Sequence, residues 1–92
     1  MNTPGQLYVR IMSPKQIFYN GPAQSVSSTN SQGKFDILPS HANFISLVQN
    51  EPIIVRPKNQ QPQTYKFPLA IIYSSNDQVN IYTDIQSTFS GN

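Results

Sequence analysis

Short runs in which apolar and polar residues alternate, each cut off by proline, glycine or a cluster of Ser, Asn and Asp, constrain this chain more than any other feature. Leu7, Val9 and Ile11 fall on one side of an extended backbone and Tyr8, Arg10 and Met12 on the other, the pattern of a strand with one buried face. Ser13-Pro14 ends that run. Residues 16–20 (with Ile17, Phe18 and Tyr19) make a second strand that stops at Gly21-Pro22, and residues 23–29 a weaker third whose one strong apolar residue is Val26. Residues 27–33 read as a hairpin loop, with Gly33 the natural place for a positive φ. Phe35 and Ile37 then alternate with Lys34 and Asp36.

Leu38 meets Pro39, which cannot donate to a ladder and disfavours helix in the residue before it, so the chain must turn there. Ser40, His41, Ala42 and Asn43 form an exposed corner before a second buried segment, Phe44, Ile45, Leu47 and Val48. The spacing of those four fits one helical turn, too short to change the class. After a break at residues 50–52, Ile53 to Val55 form a strand, and residues 58–63 make a polar loop, open or disordered at its tip. Tyr65, Phe67, Leu69, Ile71 and Tyr73 occupy consecutive odd positions. They predict a single apolar face running through a kink at Pro68, with Thr64 and Lys66 in water. Residues 74–77 turn, Val79, Ile81 and Thr83 mark the last strand, and residues 1–5 and 86–92 are expected to be loose. About eight to ten short strands with such regular turn signals predict an all-β sandwich, one domain over residues 1–92 with an ordered core at about 6–86.

Composition narrows the function by exclusion. Charged residues make up 11 % of the chain and the net charge is +2. The six basic residues are scattered, so no stripe exists to track a nucleic-acid backbone. There is no cysteine, which removes disulfides and thiolate metal sites. No stretch resembles a secretory signal or approaches the length of a membrane-spanning helix, and a cytoplasmic protein is expected.

Chemistry is equally thin. One His and the acidic residues Asp36, Glu51, Asp77 and Asp84 are the whole supply. Asp36 stands five positions from His41 across the corner, so the two could meet, but a carboxylate on an imidazole is also an ordinary structural hydrogen bond. A hydrolase using His41, Asp36 and a serine would need a pocket around His41. No metal set and no cofactor are expected. Tyr8, Tyr19, Tyr65, Tyr73 and Tyr82 could form a carbohydrate-stacking platform, or simply be amphipathic strand residues with packed rings and wet hydroxyls. Gly33 alone is no phosphate loop. A non-catalytic β-sheet binding module follows from the residues, with its partner open.

The segment Ser31-Gln32-Gly33-Lys34-Phe35-Asp36-Ile37-Leu38-Pro39-Ser40-His41-Ala42 resembles Gly-Ser-Glu-Gly-Glu-Phe-Gly-Ile-Leu-Pro-Gly-His-Ala of the epsilon subunits of bacterial F-type ATP synthases. Leu7 to Pro14 is similar to that family's first strand and its Val-Ser-Pro turn, Ile17 to Gly21 to its Leu-Phe-Ser-Gly, and Val79 to Asp84 to its closing strand. Gln32, Lys34 and Ser40 depart from its Glu, acidic and Gly residues. The resemblance implies an N-terminal β-sandwich of about ten strands. It also implies a non-catalytic rotor component of the central stalk, a monomer within a hetero-oligomeric complex, peripheral to the cytoplasmic face of the membrane. Its partners would be the gamma subunit and the c-ring, with Ser31, Gln32, Gly33, Ser40 and His41 on one end that rests on the ring loops. The family usually continues into a C-terminal helical hairpin that can inhibit ATP hydrolysis. Nothing after Asp84 is expected to form it.

Overall fold

A computed structural model describes residues 5–41 and 43–84. The expectations for residues 1–4 and 85–92 lie outside the described residues. Nine strands follow one another: β1 (Leu7–Met12), β2 (Ile17–Ala23), β3 (Ser25–Asn30), β4 (Gly33–Ile37), β5 (Phe44–Val48), β6 (Pro52–Arg56), β7 (Gln63–Lys66), β8 (Ala70–Ser75) and β9 (Gln78–Thr83). They form a five-stranded sheet, β2-β1-β9-β8-β5, packed on a four-stranded one, β4-β3-β6-β7. The all-β sandwich read from the sequence is the fold observed. Every registered pair is antiparallel except β1 with β9, which run parallel through the middle of the larger sheet.

The interior is made by the inward half of each alternation. Leu7, Val9 and Ile11 from β1, Ile72 from β8, and Val79 and Ile81 from β9 meet Val26, Ile37, Ile53 and Val55 from the smaller sheet, all essentially without solvent contact. Removing that much branched aliphatic surface from water is the main term holding the sheets together. Aromatic rings close the two flanks. Phe35 on β4 meets Phe44 on β5 with centroids 5.1 Å apart, and Phe18, Phe67 and Tyr65 stack along the β2–β7 flank, Phe18 and Phe67 at 5.2 Å. On the first flank Asn30 Nδ2 also donates to Ser46 Oγ at 3.0 Å, joining the sheets.

Three departures from the sequence reading have physical causes. β2 runs on through Gly21 and Pro22 instead of ending there, because it is an edge strand and Pro22 has no neighbour needing its missing N–H. The segment at Phe44 is a strand, with Ser46 and Val48 buried and Ile45 and Leu47 in solvent, so half of its apolar residues face outward. The odd-numbered face from Tyr65 to Tyr73 does not continue. β7 belongs to the smaller sheet and β8 to the larger, and the crossing at residues 67–69 resets the phase, so that Ala70, Ile72 and Ser74 point inward. Asn50 N–H donates to the Phe67 carbonyl at 3.0 Å and Thr83 Oγ1 to the Leu69 carbonyl at 3.1 Å, which fixes that crossing.

Candidate partner interface

The two loops singled out in the sequence lie at opposite ends of one strand. Ser31 and Gln32 form the tight turn of the β3–β4 hairpin, in which Asn30 pairs with Gly33. Asn30 Oδ1 accepts from Gln32 N–H at 2.8 Å, and Gly33 carries φ 122°. Ser40 and His41 follow the other end of β4. Its five extended residues hold the loops about 13 Å apart at ~3.3 Å per residue. Along the strand, then, the two loops lie at different ends. What they do share is a margin: β4 is the edge of the smaller sheet, so both loops and the strand between them border one side of the sandwich.

The His41 corner is a tight turn, with His41 N–H donating to the Leu38 carbonyl at 3.2 Å. Pro39 in the second position and Ser40 at φ 65° in the third follow the pattern of a type II turn. His41 is exposed. The Asp36 carboxylate does not serve it. Asp36 lies on the outward face of β4 and accepts the Ser27 hydroxyl proton, and Arg56 Nη1 donates to the same Ser27 oxygen at 2.5 Å. The carboxylate of the hydrolase reading is thus committed to a cross-strand tie, away from His41.

The tyrosines do not gather either. Tyr19 donates its hydroxyl to the Pro22 carbonyl at 2.7 Å, and Tyr65 sits 2.8 Å from Gln63 Oε1, both on the β2–β7 flank. Burial, then the neighbouring Tyr65 and Tyr8, raises the Tyr19 pKa, and burial raises that of Tyr65. Tyr73 and Tyr82 stand elsewhere, on the outer face of the larger sheet. Five rings spread over a flank and a face make no single stacking platform.

That outer face is the feature the sequence reading missed. Cross-strand register aligns Leu47, Ile71, Tyr82, Met12 and Ile17 in one row and Ile45, Tyr73, Asn80, Arg10 and Asn20 in the next. Five strands at ~4.8 Å make each row about 19 Å long. Ile45 is 67 % exposed, Ile17 56 %, Leu47 50 %, Tyr73 45 % and Tyr82 38 %. Single exposed apolar residues are ordinary, but a contiguous patch rimmed by polar groups marks a surface made to be covered. Ile71-Ile72 held the signal: two adjacent isoleucines in one strand must point to opposite faces, so one of them had to be outside.

The family model described as ATP synthase, Delta/Epsilon chain, beta-sandwich domain matches residues 6–87. The chain belongs to that family. Among curated relatives it is 32 % identical over 56 residues to the ATP synthase epsilon chain of Campylobacter concisus (strain 13826), which is 61 % of this chain and 43 % of that one. It is 33 % identical over 55 residues to the epsilon chain of Campylobacter curvus (strain 525.92), 60 % of this chain and 43 % of the other. The matched stretch thus spans less than half the length of these relatives. Two solved structures share the fold. One chain of the Euglena gracilis mitochondrial ATP synthase (OSCP/F1/c-ring) superposes with TM-score 0.80 and 14 % identity, over 90 % of this chain and 53 % of its own. One from the Tetrahymena thermophila mitochondrial ATP synthase central stalk/c-ring gives TM-score 0.70 and 10 % identity, over 84 % and 62 %.

Proposed function

We propose that this domain is a non-catalytic rotor piece of a rotary F-type ATP synthase that couples c-ring rotation to ATP synthesis by binding two partners on two surfaces. The apolar outer face of the five-stranded sheet takes the gamma subunit, and this exposed face is the observation that carries the reading. The β4 margin takes the polar loops of the c-ring, with Ser31, Gln32 and Gly33 at one end of the strand and Ser40 and His41 at the other. Both solved structures of like fold come from assemblies whose descriptions include a c-ring, and the two loops border the same edge strand. The chain works as a monomer within the larger complex, peripheral to the cytoplasmic face of the membrane, and contributes shape and adhesion.

Co-expression with the gamma subunit of the same organism, followed by size-exclusion chromatography, tests this. A stable one-to-one pair is expected, and Ile45→Lys should weaken it at least about tenfold, the equivalent of ~1.4 kcal/mol. Thr64→Lys, outward on the opposite sheet, should leave it intact. No pair, or a pair indifferent to Ile45, overturns the assignment.

A further inference from the structure

Ser40 is a non-glycine residue held in the left-handed region, at φ 65°, where a Cβ strains against the backbone. Within the corner the His41 N–H to Leu38 carbonyl bond offsets part of that cost. A second support comes from 37 positions further along the chain. The Ser40 N–H donates to Asp77 Oδ1 at 2.7 Å, a short bond to a charged acceptor, the stronger kind of hydrogen bond.

Asp77 is well placed for this. It sits in the two-residue β8–β9 turn, where Asn76 has φ 53° and Asp77 φ 63°. Two consecutive left-handed residues are what a tight hairpin of type I′ requires, and Asn and Asp accept that backbone more readily than other side chains. The turn is itself tied down, because the Asp77 carbonyl accepts from Tyr8 N–H at 2.8 Å at the start of β1. A carboxylate anchored to the central strands of the larger sheet therefore reaches the loop that leaves the smaller sheet.

We propose that Asp77 is a positioning residue that fixes the His41 corner, holding Ser40 in its left-handed geometry so that His41 is presented in one orientation. Its value for docking rests on the reading of that corner as a ring contact. The positioning itself does not.

Amide hydrogen exchange and 15N–1H NMR spectra of four variants of the 92-residue chain separate the two. In Asp77→Ala the Ser40 amide should exchange about tenfold faster, the effect of losing one such bond, and the Ser40 and His41 amide signals should shift. Asp77→Asn keeps an acceptor oxygen and should show a smaller change. Ser40→Gly removes the strain, so adding Asp77→Ala to it should leave the His41 signal nearer its starting position than Asp77→Ala alone. Unchanged Ser40 exchange in Asp77→Ala, or an equal displacement of His41 with and without Ser40→Gly, overturns the proposal. If the corner signals move while binding to isolated c-ring is undiminished, Asp77 keeps its role and the ring-contact reading fails.

Discussion

The two outer faces of the sandwich share one core and have opposite surface chemistry. Outside the five-stranded sheet lie Ile45, Leu47, Ile71, Tyr73, Tyr82, Met12 and Ile17, interspersed with Asn20, Asn80 and Gln78, and with Arg10 the one charge among the described strand residues of that face. Outside the four-stranded sheet lie Ser25, Ser27, Thr29, Lys34, Asp36, Arg56, Thr64 and Lys66, with Ile54 the apolar exception. The second face meets its hydrogen-bonding needs by itself, through the Arg56–Ser27–Asp36 tie across three strands. The first leaves apolar surface exposed among the described residues. Strand propensity and inward packing are alike in both sheets, so the outward half of the alternation decides which face is polar and which is apolar.

The comparison can be broken most forcefully on adjacent residues of β8. Ile72→Ala empties a fully buried site and should cost about 2–5 kcal/mol, read as a lower denaturation midpoint. Ile71→Ala, one residue away and outward, should cost well under half as much. Equal losses would mean that the two faces of the larger sheet are not distinct. Next in size, Ile45→Lys and Tyr73→Lys should each leave stability within about 0.5 kcal/mol, as surface changes do, while gamma capture falls at least about tenfold. Stability lost together with capture would mean that the patch belongs to the core.

On the polar face the order reverses. Asp36→Ala strands the buried Ser27 hydroxyl with Arg56 alone and should cost about 1–2 kcal/mol in chemical denaturation, with gamma capture unchanged. The smallest effect is at the flank. The folded state raises the pKa of Tyr19 above its ordinary value of 10.0, chiefly by burial. The folded protein therefore binds that proton more tightly than the unfolded chain, and the associated stability is present below pH 10 and lost as the pH climbs past it. Tyr19→Phe should flatten the alkaline end of a stability-against-pH curve.

Strand content was legible because period two and Pro, Gly and Asn punctuation are local signals. Leu7 to Met12 and Gln78 to Thr83 lie where alternation puts them. What failed was what depends on which sheet a strand joins. Tyr65 to Tyr73 looked like one face because the crossing between sheets at Pro68 leaves no mark in the odd-even pattern. Ile45 and Leu47 looked buried because an edge strand with apolar residues on both sides is indistinguishable from a core segment until its neighbour is known. Gly33 and His41 stand eight positions apart in sequence, and five of the residues from one to the other are extended. The two loops beside β4 were thus named from the segment that carries them, and the apolar face came only from register across four strand pairs.

The parallel partnership of β1 and β9 sets the order in which this domain can be made. Tyr8 lies against Gln78 and Met12 against Tyr82, so the middle of the larger sheet joins residues seventy positions apart. While the chain is still emerging from the ribosome, β1 has only β2 beside it, and its other edge waits until β9, some seventy residues later, has been translated. Folding through such distant pairings is slow, on the order of milliseconds to seconds. During that interval the nascent chain exposes an unpaired apolar strand, and the larger sheet is not complete until β9 slots in between β1 and β8.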